Sequence, residues 1–191
     1  MWYVLSVKSG QEMNVASALS AKQFPACVPR ENRLVRVNGS WDQKEYTLFP
    51  GYVFVNLTYT ADNYYLVKDI PGVLRFLGPD GLHPSALSCL EAEWIRILSG
   101  GGTPLEPTLA TEDEDGEIHL DDGVLQWFST RIIKIDKHAR RVKLELTVCG
   151  EKKTLPLSFR LLNDQEQTQE SEQNETQNQE TEQDPVTVTE G

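Results

Sequence analysis

Leu48-Phe49-Pro50-Gly51-Tyr52-Val53-Phe54-Val55 decides how the first half of this chain folds. Its second part is an apolar, β-branched and aromatic run, the pattern of a strand buried on both faces. Its first part sets two aromatic rings around a Pro-Gly turn signal. Pro50 fixes its backbone and Gly51 permits an unusual one, which holds Phe49 and Tyr52 on a stiff corner. Rigid aromatics at a strand entrance bury much area at low entropic cost, which suits a docking surface. Taken from this segment alone, the ordinary reading is that both rings are core.

Upstream, Trp2 to Lys8 reads as a strand and Gln11 to Gln23 as a helix, separated by Ser9-Gly10. Pro25 and Pro29 bracket a short extended piece around Cys27, and Leu34–Val37 with Asn38-Gly39 and Trp41 reads as a hairpin. Downstream, Ala61 to Asp69 is a short helix and Val73 to Leu77 a strand ended by Gly78-Pro79-Asp80-Gly81. Ser88 and Glu91 stand at capping-box spacing before the stripe Leu90, Trp94, Ile97 and Leu98. Residues 1–98 therefore read as an α+β domain of one antiparallel sheet with helices. Arg75 and Phe76 point to opposite faces of their strand, and period-two logic does not say which is buried.

Ser99 to Pro104 and the acidic run Glu112-Asp113-Glu114-Asp115 read as a linker over 99–117, with no packed core, joining two independent domains flexibly. The second domain, 118–162, is strand-rich. Arg131–Asp136 is one strand, Val142–Val148 alternates strictly, and Leu155, Leu157 and Phe159 alternate again after the turn Cys149-Gly150-Glu151. Short strands with tight turns suggest a small closed β-barrel, near the lower size limit for independent stability. Residues 163–191 lack apolar periodicity and read as a disordered acidic tail.

The charge follows these boundaries. The chain has 191 residues and a formal net charge of -11. Nine acidic residues and no Lys or Arg fall in 163–191, leaving 20 acidic against 18 basic residues in the remainder, which is nearly neutral. Within that body, Arg131, Lys134, Lys137, His138, Arg140, Arg141 and Lys143 crowd one strand–turn–strand unit. Lys137, His138 and Arg140 fall at the hairpin tip. Such a patch attracts phosphates through counterion release, and Arg stacks on unpaired bases, so RNA or DNA contact is the favoured reading over a merely solvated turn.

Catalytic and metal chemistry find little support. Cys27, Cys89 and Cys149 are single and far apart, with no CxxC pair, as reduced cytosolic thiols are. His83, His119 and His138 stand outside any nucleophile–base arrangement, and Gly100-Gly101-Gly102 lacks the ending of a phosphate loop. There is no apolar run of membrane-spanning length and no signal peptide. The expectation is a cytoplasmic binding protein, not an enzyme, with no cofactor and no metal.

Several motifs, in order and spacing, resemble the NusG family. They are Trp2-Tyr3-Val4 with Ser9-Gly10-Gln11-Glu12, then Phe49-Pro50-Gly51-Tyr52-Val53-Phe54-Val55, then Pro71-Gly72-Val73, Arg75-Phe76-Leu77-Gly78 and Leu87-Ser88. They cover nearly all of residues 2–98 and look like that family's N-terminal (NGN) domain. Ile133 to Val142 followed by Cys149-Gly150 resembles its C-terminal KOW domain, an SH3-like barrel. The resemblance implies a monomeric transcription elongation factor. Its N-terminal domain would dock on the clamp helices of the largest RNA polymerase subunit through Phe49, Tyr52 and Phe76, bordered by Ser6. That assignment turns all three rings toward the surface. The KOW domain of the family reaches a ribosomal protein, a termination factor or nascent RNA. Trp127 stands where the KOW motif has Gly, and the linker is longer and more acidic than the family's. The Lys137-His138-Ala139-Arg140-Arg141 turn is closer to specialised antiterminator paralogues such as LoaP. The implied function is processive antitermination of selected long operons, with the KOW domain on a nascent RNA hairpin. The alternative is a housekeeping NusG-type factor whose KOW domain binds protein partners.

Overall fold

The computed structural model describes residues 1–37, 40–78 and 83–162, without the side chains of residues 40 and 41. The predicted Asn38-Gly39 and Pro79–Gly81 turns, and the acidic tail, lie outside the described residues.

The N-terminal sheet has four strands in the order β2-β5-β1-β6, where β1 is Trp2–Val7, β2 Ala26–Cys27, β5 Tyr52–Asn56 and β6 Val73–Phe76. All of its pairings are antiparallel. A separate hairpin, β3 (Arg30–Val37) with β4 (Ser40–Thr47), projects beside it. Helices α1 (Glu12–Ala21) and α2 (Ala61–Lys68) supply Val15, Leu19 and Val67 to one face, against Leu5, Val53, Val55 and Phe76. Helix α3 (Cys89–Leu98) opens with the predicted capping box: Glu91 N–H donates to Ser88 Oγ at 3.2 Å and Ser88 N–H to Glu91 Oε2 at 2.8 Å. Its buried stripe is Ile95 and Leu98, with Trp94 and Ile97 half-covered, whereas Leu90 points to solvent.

The Pro-Gly corner has the stiffness expected of it. Tyr52 N–H donates to the Phe49 carbonyl at 3.0 Å across Pro50-Gly51, and Gly51 has φ +80°, the value a type II turn requires at its third residue. The Gly51 N–H is held by the buried carboxylate of Glu12 at 2.7 Å.

The C-terminal domain is one five-stranded sheet in the order β8-β7-β11-β10-β9. Its strands are β7 (Thr108–Glu112), β8 (Ile118–Asp122), β9 (Ile132–Asp136), β10 (Arg141–Val148) and β11 (Glu151–Leu161). The sheet curls into a barrel-like domain filled by Leu125, Phe128, Leu144, Leu157 and Phe159. Trp127 lies in a 3-10 segment, Val124–Arg131, and is 75% exposed.

Two expectations about the linker are corrected. The segment 99–117 is not a structureless connection, because β7 lies within it and runs parallel to β11, with Thr108 and Ala110 fully buried. The preceding residues are pinned too: Leu105 N–H donates to the Arg30 carbonyl and Asn32 N–H to the Leu105 carbonyl, both at 2.8 Å. Nor are the domains independent. One apolar cluster runs from Val4, Phe49, Phe54 and Leu98 into Val142, Leu144 and Leu157 of the barrel.

Candidate functional site: the covered face of the N-terminal sheet

Strand register brings Ser6, Tyr52 and Arg75 into one row, since Ser6 pairs with Tyr52 on one side and with Arg75 on the other. Alternation puts this row on the same face as Val4 and Phe54, which is the face turned to the barrel. Phe76 pairs with Leu5 and belongs to the opposite face, where it stacks on Tyr64 and meets Tyr3 and Tyr59 edge-on.

The expected solvent-facing triad is therefore not observed. Phe76 is 5% exposed in the helix-side core, and Phe49 is 4% exposed, edge-on to Phe54 at 5.3 Å between ring centres. Apolar burial explains both: each ring completes a hydrophobic cluster on its own face of the sheet. Tyr52 is half-buried, and the barrel covers it. The Lys153 ammonium donates to the Tyr52 hydroxyl at 2.9 Å and stands 5.0 Å from the ring centre. Arg75, which the sequence left undecided against Phe76, takes the surface position. Its field helps to hold the Glu151 carboxyl below its usual range, although the neighbouring Lys153 is the larger cause.

Further polar contacts close the interface. Glu31, 2% exposed, accepts from Arg33 Nε at 2.6 Å and from the Ser158 N–H of β11 at 3.0 Å. Arg33 also donates to the Pro156 carbonyl at 3.3 Å, and Arg141 donates to the Leu34 carbonyl. Burial pushes the Arg141 guanidinium below its usual range, and the charge of Arg33 adds to this. Glu91, whose Oε2 caps α3, accepts the Cys149 N–H on Oε1 at 2.9 Å. Burial and the charges of Glu91 and Glu151 push the Cys149 thiol up to about 11. The Arg131 guanidinium lies 5.1 Å from the centre of the Trp94 ring.

The seven-residue basic cluster therefore divides. Arg131 and Arg141 serve the domain interface. Lys134 and Lys143 lie directly opposite each other on β9 and β10, both exposed, a like-charge pair that costs stability. Lys137, His138 and Arg140 form the β9–β10 turn, fixed by Arg140 N–H to the Lys137 carbonyl at 3.3 Å and Ala139 N–H to Asp136 Oδ1 at 3.0 Å. Arg36, from the end of β3, joins that turn in a shallow cleft that Glu112 also lines. The sequence reading missed Arg36, because only the docked hairpin brings it there.

Among the described residues no cluster of His, Cys, Asp and Glu could hold a metal ion, and no helix is long and apolar enough to cross a membrane.

A family model described as transcription termination factor nusG matches residues 1–96. A transcription termination/antitermination protein NusG from Buchnera aphidicola is 30% identical over 171 residues, covering 83% of this chain and 93% of its own. The chain belongs to the NusG family. The Bacillus subtilis NusG is 29% identical over 167 residues, covering 83% of this chain and 94% of its own. Among solved structures, one of Thermotoga maritima NusG, described by its domain interaction, has a TM-score of 0.50 at 23% identity, with 82% of this chain and 92% of that one covered. The NusG fold thus spans both domains.

Proposed function

We propose that this NusG-family chain is a bacterial transcription elongation factor that docks on the RNA polymerase clamp helices through Tyr52, Ser6 and Arg75, with Phe49 beneath them. Phe76 supports this surface from behind the sheet instead of touching the partner. The observation that carries the reading is the row itself: an aromatic ring, a hydroxyl and a guanidinium in register on one sheet face. Aromatic and Arg side chains are the usual anchors of protein interfaces. The barrel occupies this face, so docking of a coiled coil there requires the barrel to move. Tyr52→Ala and Arg75→Ala in the full chain should each cut polymerase recovery at least tenfold, and retention at the unchanged level by both would overturn the assignment.

In this reading the barrel contacts nascent RNA through Lys134, Lys137, His138, Arg140 and Lys143, and the factor promotes processive antitermination of selected long operons, as a specialised paralogue does. Arg140→Ala with Lys137→Ala should abolish hairpin retention in a gel shift. Transcription through a terminator with and without leader RNA tests the antitermination. A second reading, a housekeeping factor whose barrel binds a ribosomal protein or termination factor, is favoured by the exposed apolar side chains Trp127 and Ile133. Barrel binding to such a protein, lost in Trp127→Ala and unchanged in the basic-turn variant, would select it.

A further inference from the structure

Two of the three strands that carry the row of Ser6, Tyr52 and Arg75 start from the same device. Phe49-Pro50-Gly51-Tyr52 leads into β5, and Ile70-Pro71-Gly72-Val73 leads into β6. In the second turn Val73 N–H donates to the Ile70 carbonyl at 3.1 Å across Pro71-Gly72, and Gly72 has φ +96°, as Gly51 has +80° in the first. Both glycines stand in the left-handed region that such a turn demands.

One short segment, Val7 to Glu12, is stitched to both turns. Val7 N–H donates to the Gly51 carbonyl at 2.8 Å and Lys8 N–H to the Gly72 carbonyl at 2.9 Å. The start of α1 adds a side-chain contact to each. Glu12, 6% exposed, accepts the Gly51 N–H on Oε1 at 2.7 Å. Gln11 lies against Gly72, where a Cβ would overlap its amide oxygen and come within 3.2 Å of Val15 Cγ2. Tyr52 follows Gly51 directly, Ser6 precedes Val7, and Arg75 stands three residues after Gly72. Each member of the row is therefore close along the chain to this knot.

We propose that Gln11 and Glu12 are the positioning residues of the docking row, with the Glu12 carboxylate as the main fastening. The assignment rests on the docking reading above. A hydrogen bond from N–H to an ionised acceptor is about twice as strong as a neutral one. Removing the carboxylate leaves the Gly51 N–H without that acceptor and frees the corner to sample other conformations. Tyr52 must then be ordered during association instead of beforehand, which weakens binding. Glu12 is buried behind the corner, so it acts through the ring and not by touching the partner.

The test measures the affinity of the full chain for RNA polymerase. Glu12→Ala should weaken it about fivefold, as lost pre-organisation of one corner does. Glu12→Gln keeps an acceptor for the Gly51 N–H and should stay within about twofold of the parent. Amide exchange at Gly51 should quicken in Glu12→Ala and not at Val53. In a Tyr52→Ala background, Glu12→Ala should add less than about twofold, because two residues that act as one unit are not additive. Leu19→Val, in the core at the far end of α1, controls for lost stability and should leave the affinity unchanged. Tyr52→Ala weakened with Glu12→Ala at the parent level would overturn the positioning role and leave the docking reading standing. So would full additivity of the pair, or a loss in Leu19→Val equal to that in Glu12→Ala. Tyr52→Ala at the parent level would sink the docking reading itself, and Gly51 exchange would then decide alone whether Glu12 holds the corner.

Discussion

The two faces of the N-terminal sheet are both buried, yet they are buried differently. Toward α1 and α2, Leu5, Val53, Val55 and Phe76 meet Val15, Leu19 and Val67 in a cluster that belongs to this domain alone. Toward the barrel, apolar contact by Val4, Phe49 and Phe54 is rimmed by polar pairs, Tyr52 with Lys153, Glu31 with Ser158 and Glu91 with Cys149. Each of those rim groups has water to fall back on when the domains part, which the rings of the first face do not. The first face is a core, and the second has the mixed apolar and polar make-up of an interface.

The largest effect expected from this contrast comes from truncating the two phenylalanines. Phe76→Ala opens a cavity with no route to collapse and should cost about 3–5 kcal/mol of N-terminal domain stability. Phe49→Ala should cost less in global unfolding and more in domain docking. Denaturant unfolding followed by tryptophan fluorescence, together with rotational correlation times by NMR, separates the two quantities. Equal losses of global stability in the two variants would erase the distinction between the faces.

Next comes the buried carboxylate of the interface. Glu31→Ala leaves the Ser158 N–H without its acceptor and Arg33 without its ion pair, at a cost of about 1–3 kcal/mol. Docking should weaken by that amount while the N-terminal core stays intact. Hydrogen exchange at Ser158 should quicken roughly tenfold or more, with Val53 and Val55 unchanged. Exchange accelerated equally at all three sites would mean that Glu31 holds the domain rather than the interface.

Much of the first domain was legible because its strands end at strong turn signals and α3 announces itself by a capping box. The faces of β6 were not. Val73 and Phe76 are buried while Leu74 and Arg75 are exposed, a spacing of three created by the register shift between Ser6 and Val7. A bulge is set by the partner strand, so period-two reasoning on β6 alone had no access to it. Strand β7 escaped for a different reason. Its buried residues are Thr108 and Ala110, too small to give a hydrophobic signal beside the acidic run that follows. The basic cluster was visible as composition, but its division between interface and cleft depends on how the two domains meet.

Cys149 makes that meeting measurable. Its thiol is pushed up to about 11, first by burial and then by the carboxylates of Glu91 and Glu151, and Glu91 belongs to the other domain. Cys89 is exposed at the start of α3 and serves as the internal reference. At pH 8, iodoacetamide should modify Cys89 well before Cys149. Tyr52→Ala or Glu31→Ala should raise the Cys149 rate severalfold by removing cover and the Glu91 charge, leaving Cys27, whose thiol burial pushes up to about 12, slow in every variant. A Cys149 rate indifferent to both substitutions would show that the barrel, not the interface, shields it.

The smallest effect lies in a region that neither face touches, and it calibrates the others. His119 Nε2 stands 2.7 Å from Asp113 Oδ2 across the β7–β8 turn, on the exposed surface. The hydrogen bond with Asp113 raises the imidazole above its usual value, and the same bond lowers the carboxyl. A group raised on folding contributes stability that is complete below its unfolded value and disappears as pH rises through its folded one. The barrel should therefore lose a little stability as pH rises above the ordinary histidine range, near 6.5, and through the raised folded value. The Asp113 share of the pair persists down to the carboxylate range and goes when pH falls through its lowered value. His119→Gln should flatten the neutral limb of the profile and leave domain docking and Cys149 alkylation unchanged. Should the neutral limb survive in His119→Gln, its source must be sought in another titrating group.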